Sequence, residues 1–406
     1  MLNINLANMV NASFTVQPVV PEPRRVLLCR AAAATPAARW RGAAGTGPPT
    51  AGLGTRPAAV GYHRAGAGPP GAVPEHALPR HHAIRRRGAH DGGVRCRSDG
   101  AIPMSGTDRA AWAEFWRQEQ GKAVGGGCLP EGWAVIEQAQ KQSWADFIRP
   151  SRKAARVLDV ATGDARVLRW LQAARPDLKL TGVDAAPTLP APPAGCRLRA
   201  GVMMEQLPYE AGSFDMVTSQ FGFEYGDSAE AAGEIRRVLV PGGRVGLMVH
   251  RGDGPILAHN LRRLEAILWA VEDQKVVQIA LNTLALRGAA QLLPTRLSGI
   301  AAEGACLFGP RSPAWEITEA VRQTMVLGLQ QEPRSIAATL AVLGQRANNE
   351  IGRIRSLQRA CATADQRSTL LGKLQAAGLE EQSTQPVTDA QGTAFADMIT
   401  LLNQSL

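Results

Sequence analysis

The sequence predicts an α/β fold, a sheet with helices on both faces, and three observations carry that reading. An apolar run from Ala155 to Val160 encloses an acid, Asp159, and passes through a turn of small residues into a helical pattern beginning near Asp164. About twenty residues later, Thr181-Gly-Val-Asp184 reads as a second strand ending on a second acid. Further on, an apolar run from Phe214 to Ser219 and an amphipathic stretch from Ala229 to Leu239 repeat the alternation. Pro241-Gly242-Gly243 then stops the helix before the next strand.

The first strand–turn–helix unit is suited to a nucleoside. Small residues let the backbone approach a ligand, and an acid at the tip of the second strand can accept ribose hydroxyls. Two details point away from a dinucleotide. Asp159 lies two residues before the first small position, where it would repel a pyrophosphate. Ala161, Gly163 and Ala165 recur every second residue, which does not fit G-x-G-x-x-G. A carboxylate in that place suits a positively charged ligand, a sulfonium with an α-amino group, and so S-adenosylmethionine.

Later residues add a family resemblance. Gln206-Leu-Pro-Tyr-Glu-Ala-Gly-Ser-Phe-Asp-Met-Val-Thr-Ser-Gln-Phe-Gly222 resembles the "LPF-x-D-x-SFD-x-V-x-S-x-FG" run of class I methyltransferases. Glu234-Ile-Arg-Arg-Val-Leu-Val-Pro-Gly-Gly243 resembles their "E-x-x-RVLKPGG" helix and turn. The resemblance covers about residues 155–250 and is nearest to type 11 and quinone-biosynthesis small-molecule methyltransferases. It implies a Rossmann-like class I methyltransferase sheet, S-adenosylmethionine as cofactor, and a small-molecule methyl acceptor. The chain departs from the pattern at Ala161 and Ala165, where glycines are usual, and at Met203, where an adenine-binding acid is usual. A thioether packs on adenine but accepts hydrogen bonds poorly, leaving adenine to the backbone near Met204 or to Glu205.

The resemblance assigns candidate site residues. Asp159 fixes the loop and the methionine amino group, and Ala161, Thr162 and Gly163 line the loop. Asp184 takes the ribose hydroxyls, Met203 and Met204 bracket adenine, and Gln220 lies near the methionine moiety. On the acceptor side, Glu224, Tyr225 and His250 follow strand ends and are candidate bases. His250 reads equally as a loop histidine bonded to backbone.

Charge is unevenly spread. The net charge of +10 sits mostly in residues 1–103, which hold 13 Arg, no Lys and four acids. The remaining residues, with 32 basic and 31 acidic side chains, are nearly neutral, which argues against a nucleic-acid partner. Residues 1–103 also carry 12 of the 27 prolines and five of the seven histidines, His81-His82 included, and show no periodicity. The expectation there is disorder, and a segment outside the natural protein, with a start at Met104. Six scattered cysteines form no metal-like cluster, and no apolar stretch suggests a membrane span, so a cytoplasmic protein without a metal is expected.

The expected organisation runs from a helical lead-in or lid over 104–150 to a cofactor-binding core over 151–252. The lead-in carries Trp112, Trp116, Trp133 and Trp144 and is broken at Gly125-Gly-Gly127. A helical cap follows over 253–365, from the stepping of Leu257, Leu261, Leu264, Leu268 and Val271 and the patterns at Trp315–Met325 and Ser335–Leu343. Residues 366–406 should return to the core through the helix near Leu371–Leu379, with only a faint final hairpin over Gln385–Leu401. A catalytically inactive binding subunit and a protein or RNA methyltransferase are the alternative readings. Oligomeric state is not legible.

Overall fold

The computed structural model describes residues 111–115, 134–284, 293–328 and 331–404. The expectations for residues 1–103 and Met104, for the Gly125-Gly-Gly127 break, and for Trp116 and Trp133 lie outside the described residues. The first described elements are a helical turn at 111–115 and helix α1 (Ala134–Ile148).

Strand β1 (Arg156–Val160) leads into α2 (Arg166–Ala174), and β2 (Lys179–Asp184) and β3 (Arg197–Ala200) follow. Then come β4 (Phe214–Gln220), α3 (Ser228–Val238) and β5 (Leu239–His250). The sheet has seven strands in the order β3-β2-β1-β4-β5-β7-β6. The first five run parallel, while β7 (Ala394–Asn403) pairs antiparallel with both β5 and β6 (Leu379–Thr388). Strand order reverses between β1 and β4, so their carboxyl ends open the crevice where such sheets bind ligands.

Buried apolar residues cover both faces of the sheet. On one lie Trp144, Phe147 and Ile148 of α1 with Val167, Leu168 and Leu171 of α2. On the other lie Ala231, Ile235 and Val238 of α3 with Leu370 and Leu374 of α9 (Arg367–Ala376). The near-continuous burial of β1 and β4 is what a parallel strand covered on both faces requires. Asp227 caps α3 by accepting from the amides of Ala229 and Glu230. The Glu234–Arg237 pair braces the incoming loop: Glu234 accepts from the Leu207 amide, and Arg237 donates to the carbonyls of Leu207 and Tyr209.

Between β5 and β6 the chain forms a helical layer. It comprises α4 (Pro255–Leu268) with a π-helical turn (Trp269–Asp273), α5 (Val276–Leu284), α6 (Leu293–Phe308), α7 (Pro313–Leu327) and the 33-residue α8 (Pro333–Asp365). These helices carry apolar clusters of their own, one around Ala270, Leu297, Val321 and Leu340 and one around Leu264, Ile267 and Ile354.

Three sequence expectations need correction. Pro241-Gly242-Gly243 lies not before β5 but inside it, in a register shift of the β4–β5 ladder, because α3 already ends at Val238. In α4 Leu261 faces outward, and the buried side is Ile256, Leu257, Asn260, Leu264 and Ile267. The faint hairpin is two full ten-residue strands. β6 is an edge strand with Leu379 and Val387 as its buried residues, so it lacks an apolar pattern and tolerates Pro386.

Gly182 of β2 lies directly beneath the loop after β1. A Cβ there would come within 2.7 Å of Thr162 Oγ1, 2.8 Å of Leu198 Cδ2 and 2.9 Å of Leu168 Cδ1. Gly182→Ala is expected to destabilise the protein by about 1–3 kcal/mol, read as a lower urea midpoint with an unchanged slope. An unchanged midpoint would show that the loop yields freely.

Candidate functional site

The loop after β1 is tied to both neighbouring strands. Asp159 is 1 % exposed, and its two carboxylate oxygens accept from Thr162 Oγ1 and Thr218 Oγ1, each at 2.7 Å. The first bond holds the loop and the second reaches across to β4. Burial pushes the carboxyl up to about 7 against the opposing pull of the two hydroxyls. Toward β2, the Thr162 amide donates to the Val183 carbonyl at 3.0 Å and the Gly163 amide to Asp184 Oδ2 at 2.8 Å. Asp184 Oδ1 accepts from the Ala186 amide at 2.9 Å, and burial raises this carboxyl above its usual range.

The small residues are needed for conformation as well as space. Ala161 and Ala165 have left-handed backbone (φ 56° and 61°), as has Gly163 (φ 52°). A Cβ at Gly222 would overlap the Ala161 Cβ, so the loops after β1 and β4 are in close contact.

Above these strand ends lies a cleft enclosing about 1470 Å³, its open mouth included. Asp159, Ala161, Thr162, Gly163, Asp184, Met203, Met204, Gln220, Tyr225 and His250 all line it. Met203 is 39 % exposed, while Met204 packs partly against the core. The side-chain carbonyl of Gln220 accepts from Trp144 Nε1 at 2.7 Å.

Glu224 is the exception among the candidate site residues. It is 2 % exposed and lies behind the cleft, where its Oε1 accepts from the His250 amide at 2.9 Å and meets His250 Nδ1 at 2.7 Å. Glu224 is therefore not among the residues lining the cleft: its Oε1 is engaged by His250, while its Oε2 is buried without a hydrogen-bond partner. With Nδ1 engaged, Nε2 is the ring nitrogen left to accept a proton. Phe221 stacks on the imidazole at 4.2 Å, itself held in left-handed backbone (φ 55°), and Tyr225 meets it edge-on at 5.9 Å.

Sequence reasoning missed several residues of the cleft. Gln140 of α1 is fully buried and lines it, and neither its Nε2 nor its Oε1 has a hydrogen-bond partner. It sits within the buried stripe Ile136–Gln140–Trp144–Ile148, so one polar residue on an apolar helical face was the available clue. Trp112 lines the opposite side and donates from Nε1 to Ser356 Oγ of α8 at 2.9 Å. Asn260 of α4 and Arg353 of α8, both buried, complete the lining from the helical layer.

These residues fit S-adenosylmethionine. The acid at the β2 tip suits ribose hydroxyls, and the unpartnered Gln140 amide suits the amino-acid end. Glu205 keeps one buried oxygen, Oε2, without a partner, an acceptor suited to the adenine amino group. Among the described residues no group of His, Cys, Asp and Glu could hold a metal ion, and no helix is long and apolar enough to cross a membrane.

Residues 158–247 match the family model described as a methyltransferase domain. A demethylmenaquinone methyltransferase of Thermus thermophilus is 36 % identical over 98 residues, covering 22 % of this chain and 44 % of that protein. Its counterpart in Deinococcus radiodurans is 37 % identical over 102 residues, covering 23 % and 42 %. The chain thus spans less than half the length of the curated relatives it matches. Among solved structures, a geranyl diphosphate C-methyltransferase of Streptomyces coelicolor aligns with a TM-score of 0.36 at 10 % identity, covering 74 % of this chain and all of that one.

An amide buried without partners costs about 1–3 kcal/mol, a cost that apolar replacement removes. Gln140→Leu is expected to raise the stability of the ligand-free protein by an amount of that order, measured by chemical denaturation. A loss of stability would mean that the amide supports the fold rather than a ligand.

Proposed function

We propose that residues 158–247, a class I methyltransferase domain, make this chain an S-adenosylmethionine-dependent methyltransferase acting on a small-molecule acceptor by in-line methyl transfer. The observation that carries the reading is the floor of the cleft. A left-handed small-residue loop, a buried acid at each of the first two strands and an unpartnered amide there face one open cleft. The nearly neutral body, and the small organic substrate named for the relatives, support a small acceptor over a nucleic acid.

When bound, S-adenosylmethionine supplies an electrophilic methyl group on a sulfonium that is already a good leaving group. Asp184 takes the ribose hydroxyls while the Gly163 amide keeps its carboxylate aligned. Met203 and Met204 bracket the adenine, whose amino group is left to Glu205. Ala161, Thr162 and Gly163 line the loop, and Gln140 and Gln220 hold the amino-acid end. Asp159 gives the floor a negative charge that favours a cation. The protein's main task is to align the two reactants and exclude water. Where the acceptor is a hydroxyl, His250 Nε2 removes its proton, and Glu224 holds the ring through Nδ1 and stabilises the imidazolium that forms. Tyr225 lines the acceptor side beside the imidazole.

Calorimetric titration of the full chain with S-adenosylmethionine and with S-adenosylhomocysteine tests the reading, and saturable micromolar binding is expected. Asp159 is protonated below about 7 and ionised above it, and a cation favours the ionised form. Affinity should therefore climb as pH rises through 7, with a proton released on binding, and the climb should vanish in Asp159→Asn. No binding by folded protein would leave the inactive binding-subunit reading in its place.

For the acceptor step, His250→Ala is expected to lower kcat by about 10²–10⁴ with cofactor affinity kept. Glu224→Gln should lower kcat less, change the pH–rate profile and leave KM nearly unchanged. Unaltered rates in both variants would show that transfer needs no base from these residues.

A further inference from the structure

A carboxylate entering the sheet end of the cleft meets four acids. Asp159, Asp164, Asp184 and Glu205 all line it, from β1, β2 or the loops at the strand ends. S-adenosylmethionine carries a carboxylate at its amino-acid end, so its recognition there needs hydrogen-bond donors. Arg166 lines the same end, but its Nε and Nη2 donate to Asp164 at 3.1 and 2.8 Å. Two glutamines line the cleft as well, Gln140 of α1 and Gln220 of β4.

Helix α1 sets Gln140 and Trp144 four residues apart on its buried face. The Trp144 ring is fully buried, edge-on to Phe147 at 5.9 Å and against Gly246 of β5, where a Cβ would come within 3.0 Å of its Cζ3. Held in this way, its Nε1 donates to Gln220 Oε1 at 2.7 Å. An indole nitrogen can only donate, so the bond decides which way round the Gln220 amide sits. The carbonyl oxygen faces Trp144, and the NH2 group is left for the cleft.

Gln220 shares its face of β4 with Thr218, two residues back, and Thr218 is bonded to Asp159. A donor for the carboxylate therefore stands one strand step from the acid suited to the ammonium group. Gln140 supplies a second donor. It is fully buried, and neither Nε2 nor Oε1 has a hydrogen-bond partner. A buried unpaired amide costs stability that a ligand can restore.

We infer that Trp144 is a positioning residue for cofactor recognition. By holding Gln220 with its NH2 group toward the cleft, it gives the carboxylate of S-adenosylmethionine a donor, joined by Gln140, among acids that repel an anion. The inference rests on the methyltransferase reading. It makes the protein selective for a ligand that carries both charges of an amino acid, the ammonium at Asp159 and the carboxylate at the two amides.

Calorimetry on the full chain tests it with two probes, S-adenosylhomocysteine and its decarboxylated form, which keeps the amine and lacks the carboxylate. The lining acids by themselves favour the decarboxylated cation, so the sign of the preference is decisive. S-adenosylhomocysteine should bind at least about tenfold more tightly. Trp144→Phe, which lets the Gln220 amide turn, should shrink that ratio by about threefold or more while the decarboxylated probe binds as before. Loss of packing alone would weaken both probes together. Gln220→Glu keeps an acceptor for Trp144 and puts an oxygen where the NH2 group stood, so it should reverse the preference. That variant decides the matter even if Trp144→Phe fails to fold. No preference in the wild type, a preference for the decarboxylated probe, an unreversed preference in Gln220→Glu, or an unchanged ratio in folded Trp144→Phe overturns the inference. S-adenosylhomocysteine binding is measured first, and its absence sinks the methyltransferase reading and this inference with it. Its presence without a carboxylate preference sinks this inference alone.

Discussion

The carboxylate of Asp159, clamped between Thr162 and Thr218, is the interaction on which the site depends. One bond runs into the loop after β1 and the other crosses to β4, so the two strand ends that flank the crevice are fixed to one buried group. Burying a carboxylate is costly, and two hydroxyl donors offset only part of that cost, which is why the group titrates near neutrality. The same clamp sets the loop so that its next amide reaches Asp184. A ligand that carries positive charge repays what the empty fold gives up there.

The neighbouring backbone shows the same exchange of stability for shape. Ala161, Ala165 and Phe221 occupy left-handed conformations that cost a residue with a Cβ roughly 1–2 kcal/mol each. Such strain persists only where surrounding packing enforces it. Here Ala165 is fully buried, Ala161 lies against Gly222, and Phe221 donates its amide to the Met248 carbonyl at 2.8 Å while its ring stacks on His250. The apolar layers on both sheet faces supply the enforcement. Alanines at 161 and 165 thus hold the loop's path without glycine's freedom, because its shape is imposed from the strands rather than chosen by the loop.

The parallel half of the sheet was legible because buried strands and amphipathic helices alternate with clear periods, and because the acids at 159 and 184 stand at strand ends. The hairpin was not legible, since an edge strand such as β6 buries too few side chains to leave a pattern. The loop residues of the cleft follow directly from local motifs. Gln140, Asn260 and Arg353 do not, because each reaches the cleft from a helix outside those motifs, on a face whose other buried residues are mostly apolar. Glu224 failed in the opposite way. Its position after β4 suggested contact with a substrate, and only the register of β5 reveals that it turns inward to His250.

The two halves of the cleft are built by different means, and that difference bears on what each can recognise. The sheet end is assembled from short loops pinned by backbone hydrogen bonds, so its geometry is tied to the fold itself and suits a ligand shared by many enzymes. The opposite side is carried by side chains on helical faces, Ile256 and Asn260 from α4 and Arg353 and Leu357 from α8. Ile256 and Leu357 also pack in the cluster that covers Val157 of β1 and Met216 of β4, so this layer is joined to the sheet through apolar contact. Its polar members, Arg353 and Asn260, are bonded to each other at 2.7 Å, so the buried guanidinium ties α8 to α4 at the cleft wall.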